Sequence, residues 1–175
     1  NILKYSFTVG FFFFLIACST KRDSFISRNS HALSTKYNIL YNGGIAIEKG
    51  ITEVKSTYKD NFWELLPIER MQINQDAFLP GQTKNVNFDR AETKASKAIQ
   101  KHSMNIDGSE KNPPIDEAYL MLGKARYYDQ RFVHALEAFN YILYKYPNSE
   151  KIYEAKSWSK KNNNSKTNEP WGGNN

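Results

Sequence analysis

One covalent modification is indicated by the residues that end the first apolar stretch. Phe7–Ala17 is apolar, follows the single charge of Lys4 and ends in Leu15-Ile16-Ala17-Cys18. An aliphatic residue three positions before a cysteine, with a small residue directly before it, is the pattern of a lipobox, whose thiol receives diacylglycerol. At about 1.5 Å per residue, the apolar core is too short to span a bilayer about 30 Å thick. We therefore predict that residues 1–17 are a cleavable lipoprotein signal peptide and that Cys18 is lipidated.

Cys18 is the only cysteine of the chain, so no intramolecular disulfide is possible. The polar run Ser19–Asp23 follows it directly, which favours lipidation over an incidental thiol. A cysteine with two ester-linked chains and one amide-linked chain anchors stably, whereas a single chain binds only reversibly. Ser19 carries no obvious signal for retention at the inner membrane. We predict a lipid anchor on the periplasmic side of the outer membrane, with the inner membrane and the cell exterior as alternatives.

Residue types that commonly catalyse reactions or bind metals occur without the spacing that those roles need. His31, His102 and His134 have no acidic or thiol partner at metal-ligand spacing. Asn42-Gly43-Gly44 lacks the lysine of a phosphate-binding loop. Neighbouring carboxylates are better explained by helix starts and solvated helix faces than by acid and base catalysis. We predict that the protein is not an enzyme and takes no metal, cofactor or small-molecule substrate.

The charge of the chain does not point to nucleic acid. Lysine and arginine total 24 against 18 acidic residues, for a net charge of +6. The basic residues are spread over polar segments and an asparagine-rich tail and do not alternate with aromatic residues. This distribution is typical of a solvated helical surface, and we predict no nucleic acid partner.

A repeat pattern lies between Asp116 and Pro147. Its defining residues are Tyr119, Leu122, Gly123, Ala135, Phe139 and Pro147. Their spacing resembles that of the tetratricopeptide repeat, a pair of antiparallel helices of about 34 residues. We therefore predict an all-α fold built of tetratricopeptide-like antiparallel helix pairs, as in a fragment of an α-solenoid.

The small residues of this pattern have a physical role. Gly123 and Ala135 fall on opposite helices where the helix axes would approach most closely, and a larger side chain there would cost about 1 to 3 kcal/mol. Apolar residues recur every three or four positions in the second helix, from Phe132 to Tyr146. Pro147 ends that helix, because proline disfavours helical backbone in the residue before it.

Composition and periodicity divide the rest of the chain. The predicted segments are a lipidated linker (18–30), a degenerate helix pair (31–58), an irregular crossing loop (59–87), tetratricopeptide-like helices (88–158) and a disordered tail (159–175). Within the degenerate pair, Asn42-Gly43-Gly44 is interpreted as a tight turn between two helices. Because apolar residues at helical spacing do not continue into the tail, the chain could be a truncated or frame-shifted copy of a longer repeat protein.

The crossing loop contains several aromatic and aliphatic residues, namely Phe62, Trp63, Leu65, Leu66 and Ile68. We expect them to pack back over the helices. An exposed contact patch for a partner is the alternative.

Several of these features, taken in order along the chain, resemble one family. They are the lipobox, the segment Ser27–Gly43, the Tyr58-Lys59-Asp60 junction with Leu66-Pro67 beyond it, and Gly123–Tyr128. The combination is similar to the amino-terminal part of the SprE/PorW lipoproteins of the Bacteroidota. Those tetratricopeptide proteins are associated with gliding motility and type IX secretion.

The resemblance implies a non-catalytic scaffold that is lipid-anchored at the outer membrane and binds other proteins of the secretion machinery. The candidate partner contacts are Lys124, Arg126, Tyr128, Asn140 and Tyr144, with ordinary surface or inter-helix positions as the alternative for each. Two alternatives share a lipobox and the same helices: a SusD-like glycan-capture lipoprotein, for which Phe62 and Trp63 are the candidate sugar platform, and an outer-membrane protein assembly lipoprotein.

Overall fold

The computed structural model describes residues 19–60, 62–63, 69–71 and 85–167. Residues 1–17, Cys18, Leu65, Leu66, Ile68 and residues 168–175 lie outside the described residues. The lipidation of Cys18 therefore stays a prediction.

Within the described residues the fold is all-α, with five helical rods packed as consecutive antiparallel neighbours. The first rod comprises α1 (Phe25–Leu33), a π-helical segment (Ser34–Leu40) and α2 (Tyr41–Thr57). The others are α3 (Val86–His102), α4 (Ile115–Tyr128), α5 (Phe132–Lys145) and α6 (Ile152–Thr167). This confirms the predicted fold class. None of these described helices has both the length and the apolar character needed to cross a membrane.

The two-residue strands β1 (Asn105–Ile106) and β2 (Ser109–Glu110) form an antiparallel hairpin between α3 and α4. Asp107 and Gly108 make its turn, with φ angles of 51° and 76°. Positive φ at both central residues is the geometry of a tight two-residue hairpin, which suits Asp-Gly. The hairpin reverses the chain so that α4 runs back along α3.

Small residues on α3 set its close packing against the neighbouring rods. Ala91, Ala95, Ala98 and Phe88 are fully buried. Asn85 caps the helix, since its side-chain oxygen accepts hydrogen bonds from the backbone N–H groups of the first turn. The alanines let α3 lie close to both α2 and α4.

The predicted turn at Asn42-Gly43-Gly44 is wrong. Tyr41–Thr57 is one α-helix that continues the π-helical segment without a break, so residues 31–58 are not a helix pair. Gly43 is buried, and a Cβ built on it would lie 2.8 Å from Cε of Met121. The glycine therefore serves a close helix crossing and not a change of chain direction.

Two other predicted boundaries are wrong. The linker predicted for residues 18–30 is helical from Phe25, and the Ser24 side chain caps that helix by accepting a hydrogen bond from Ser27 N–H at 3.2 Å. The tail predicted as disordered from residue 159 continues α6 as far as Thr167. Tertiary contacts made by α6 explain the second error, because they stabilise a segment of low intrinsic helix propensity.

Candidate functional site

Alternate rods line one side of the array. The helices α2, α4 and α6 together border a groove of about 430 Å³. Its apolar lining includes Leu40, Ile47, Ile51, Leu120, Met121 and Trp158, and its charged side chains are Glu48, Glu117, Lys124, Lys151 and Glu154. An apolar floor with a charged rim can accept an amphipathic segment of another protein.

Lys124 holds two of the helices around this groove together. Its Nζ lies 2.5 Å from Oε1 of Glu154 and 5.5 Å from the ring centre of Trp158. The side chain is one of the predicted partner contacts, and the structure places it in the groove. Because its charge is shared with Glu154 on α6, a bound partner would compete with, or add to, that ion pair.

Arg126, predicted as a partner contact, instead connects helices. Its Nε lies 2.9 Å from Oε1 of Glu92 on α3, and Glu92 also pairs with Arg131 at the start of α5. Burial alone would raise the pKa of Glu92, but hydrogen bonds from Arg131 and Arg126 outweigh that effect and hold the pKa below its ordinary value. Arg131 pairs with Asp129 as well. This network joins α3, α4 and α5, and Arg126 does not line the groove.

Tyr128 lies mostly in the core, although it also borders the groove. Its ring stacks on Phe88 with centres 5.6 Å apart, and its hydroxyl donates to Oε1 of Glu69 at 2.7 Å. Burial, together with that carboxylate, raises the pKa of Tyr128 well above its ordinary value, so the hydroxyl remains a donor. Only a small part of this side chain is available to a partner.

The other two predicted contacts, Asn140 and Tyr144, lie on α5 and do not line the groove. Asn140 is exposed and accepts a long hydrogen bond from Ser159 at 3.4 Å, while Tyr144 is 86% exposed. The five predicted contacts therefore do not form one surface. Of the five, Lys124 and the edge of Tyr128 lie in the groove.

Four of the six residues predicted to pack the repeat are buried on α4 and α5, namely Leu122, Gly123, Ala135 and Phe139. Tyr119 stacks against Tyr141 on α5, with ring centres 4.3 Å apart. Pro147 is exposed just beyond the end of α5, as expected for a residue that cannot continue the helix.

A pair of histidines was not anticipated from the sequence. Nδ1 of His31 on α1 lies 2.9 Å from Nδ1 of His102 at the end of α3. Beside them the buried Asn112 donates to Oγ1 of Thr35 and to the backbone carbonyl of His102. Burial, with the nearby His31, lowers the pKa of His102. The two histidines are 71 positions apart in the sequence, so no local residue spacing predicts the pair.

Among the described residues, no group of three or more histidine, cysteine, aspartate or glutamate side chains could hold a metal ion. A larger cleft of about 620 Å³ lies between the hairpin and the end of α5. Polar groups in this cleft hold the loops in place: Lys145 donates to the carbonyl of Gly108 at 2.9 Å, and Glu110 accepts from backbone N–H groups of Met104 and Asn112. This cleft is therefore a loop junction.

The expectation that Phe62 and Trp63 pack back over the helices is wrong. Phe62 is 79% exposed and Trp63 is 97% exposed. The two rings present apolar surface to solvent, as in the alternative of a contact patch.

No protein-family model matches this chain, and a search of curated proteins finds no significant match. The class of protein is therefore defined by its fold and its groove. It is an antiparallel helical array with an amphipathic groove along one side.

Proposed function

We propose that this protein is a non-catalytic scaffold that is anchored by the lipid on Cys18 and binds another protein in the groove between α2, α4 and α6. The observation that carries this proposal is the groove itself, since three rods from different parts of the chain each contribute to it. Helical arrays commonly bind proteins on such a shared surface. No single loop or residue is needed for chemistry in this role.

The sequence resemblance to the SprE/PorW lipoproteins supplies the proposed setting. The protein would act in type IX secretion and gliding motility, on the periplasmic side of the outer membrane. Its partners would be other proteins of the secretion machinery, and the membrane would be contacted through the acyl chains.

Charge reversal at the groove tests the protein-binding role. Full-length Lys124→Glu and Glu48→Lys change the charge of two lining residues, whereas Lys97→Glu and Glu137→Lys make the same changes on exposed positions of α3 and α5. Proteins cross-linked to the chain in native membranes are then measured by quantitative mass spectrometry. We expect the groove variants to lose at least about tenfold in specific cross-links, which corresponds to about 1.4 kcal/mol.

The control variants should keep those cross-links, and far-ultraviolet circular dichroism should show that all four variants are folded. Equal losses in both sets would place binding elsewhere. Unchanged cross-links in both groove variants would rule out the groove as the binding site.

Exposed Phe62 and Trp63 favour one second function, glycan capture, because sugar rings stack on exposed aromatic faces. Titration with oligosaccharides, followed by intrinsic fluorescence and calorimetry, tests it. Binding that is lost in Trp63→Ala and kept in Tyr153→Ala, whose ring is also exposed, would favour capture over scaffolding.

A further inference from the structure

The outer face of the first rod carries an apolar stripe that no other described element covers. Ile26, Leu33, Tyr37 and Tyr41 are 62% to 67% exposed, although each is large and apolar. Ile26 and Leu33 are about two turns apart, and Leu33, Tyr37 and Tyr41 then follow at about one turn each. The stripe lies on the side opposite the buried residues Ser27, His31, Thr35 and Ile39.

The same segment is basic. Between Ser19 and Tyr41 there are four basic residues, Lys21, Arg22, Arg28 and Lys36, and one acidic residue, Asp23. All of these side chains are exposed. Arg28 pairs with Asp23 at 3.2 Å, so the net positive charge of the segment comes from Lys21, Arg22 and Lys36. An exposed apolar stripe on a net basic segment is the composition of a helix that lies in the interfacial layer of an anionic membrane.

The chain is held against this rod directly after Cys18. The carbonyl of Ser19 accepts a hydrogen bond of 2.7 Å from the hydroxyl of Ser27, which is fully buried. The Arg22 N–H also donates to that carbonyl, at 3.4 Å. Neighbouring Cα atoms are about 3.8 Å apart. An acyl group on Cys18 would thus leave the protein at the first turns of α1, with no free linker between the anchor and the fold.

We propose that the stripe formed by Ile26, Leu33, Tyr37 and Tyr41 lies on the membrane surface, with its basic neighbours in the layer of anionic headgroups. This inference rests on the lipid anchor of the proposed function, since the anchor brings the stripe to the bilayer. Tyrosine suits this position because its ring enters the apolar layer while its hydroxyl stays hydrated. The first rod would then fix the orientation of the whole array relative to the membrane.

Charge favours the membrane over a second copy of the chain. Two stripes facing each other in a symmetric dimer would bring the basic side chains of both copies together, and like charges across an interface are unfavourable. Anionic headgroups neutralise the same side chains. The membrane is therefore the occupant that matches both the apolar stripe and its charged border.

Nitroxide spin labels test this in the full lipidated chain reconstituted in vesicles of phosphatidylethanolamine and phosphatidylglycerol. Labels are attached to Leu33→Cys and Tyr37→Cys on the stripe, and to Tyr144→Cys and Tyr153→Cys as matched exposed positions elsewhere. Collision rates with oxygen, which enters the bilayer, and with a nickel chelate, which stays in water, give the depth of each label. We expect oxygen to dominate at residues 33 and 37, and the nickel chelate to dominate at residues 144 and 153.

The nickel chelate dominating at residues 33 and 37 would overturn the proposal. Strong dipolar coupling between labels at residue 33 would overturn it in favour of a second copy. Replacing phosphatidylglycerol by phosphatidylcholine should place the labels at residues 33 and 37 less deeply in the bilayer. An unchanged depth would show that the basic residues of this segment do not contribute to membrane binding.

Mass spectrometry of the anchored peptide reports separately whether Cys18 carries lipid. An unlipidated Cys18 would count against the proposed anchor. In that case the depth measurement is repeated with a Cys18→Ser chain whose amino terminus is coupled to a lipid, so that the stripe is still brought to the bilayer. Water exposure of residues 33 and 37 in that chain overturns the docking of the stripe.

Discussion

The ring of Phe139 on α5 lies directly against the backbone of Gly123 on α4. A Cβ built on Gly123 would lie 2.7 Å from Cδ1 and 2.8 Å from Cζ of that ring. Phe139 is fully buried, so its ring has little room to move away. The closest approach of these two helices therefore depends on the absence of one methyl group.

This contact makes Gly123→Ala a destabilising change, although alanine normally favours a helix over glycine. We expect the free energy of unfolding to fall by about 1 to 3 kcal/mol, because overpacking displaces the ring or the helix. The measurement is equilibrium unfolding in urea. Gly44→Ala is the matched control in α2, where an added Cβ meets nothing within 4 Å, and it should stabilise by up to about 1 kcal/mol. Equal effects at both glycines would contradict the close contact.

Removing the charge of Glu92 should also destabilise the array. Glu92→Gln leaves Arg126 and Arg131 without their shared carboxylate in a partly buried position, and we expect a loss of about 1 to 3 kcal/mol in urea unfolding. Because those arginines hold the pKa of Glu92 below its ordinary 4.5, its contribution is present above that pH and is lost as the pH falls through the folded-state value.

The control for this change is Asp23→Asn, which breaks the pairs of Asp23 with Arg28 and with Lys111, where all three side chains are about one third exposed or more. Exposed pairs contribute little, so this variant should unfold like the parent protein. A Glu92→Gln protein as stable as the Asp23→Asn protein would show that the network does not stabilise the fold.

The histidine pair predicts a loss of stability at mildly acidic pH. Burial and the facing His31, with Lys97 and Lys101 on the same helix, lower the pKa of His102 below its ordinary 6.5. The unfolded chain then binds protons more readily than the folded chain. Stability should be fully present above about pH 6.5 and should fall as the pH drops through the folded-state value.

This pH dependence is measured as the urea midpoint between pH 8 and pH 5. His102→Gln should flatten the curve in that range, whereas His134→Gln, at an exposed position of α5, should leave it unchanged. A curve of the same steepness in the His102→Gln protein would mean that another group causes the acid sensitivity.

Two neighbouring asparagines of α6 should behave differently. Asn162 is buried, and its side-chain Nδ2 donates to the backbone carbonyl of Phe132 at 3.0 Å. Asn162→Ala leaves that carbonyl without the hydrogen bond and should cost about 1 to 3 kcal/mol in the free energy of unfolding. Asn163 is exposed, and Asn163→Ala should have no measurable destabilising effect. Similar urea midpoints for the two variants would indicate that α6 does not dock as described.

The repeat at α4 and α5 could be predicted because its signal is local. Small and large residues recur at helical spacing within a single repeat, and the structure confirms the burial of Gly123, Ala135 and Phe139. The glycines of α2 were misinterpreted for a physical reason. Glycine permits both a tight turn and a tight helix crossing, and at Gly43 only the position of Met121 on another helix decides between them.

The end of α6 was missed because its sequence is rich in asparagine, a weak helix former. The Trp158 ring stacks on Phe139 and meets Tyr127 edge to face, so tertiary packing stabilises the helix despite its composition. The partners of Arg126 were equally inaccessible, since Glu92 lies 34 positions away in the chain. Such pairings depend on how the rods stack, and no local periodicity encodes them.

The groove has a thermodynamic consequence, because its three walls come from rods that touch chiefly through the helices between them. The groove exists only in the folded array, so a molecule that binds there binds the folded state and not the separate helices. The occupancy of the groove and the stability of the array are then linked by mass action. A ligand at 100 times its dissociation constant would add about 2.7 kcal/mol to the free energy of unfolding of the array. Binding in the groove would therefore stabilise helix contacts that lie far from the bound molecule.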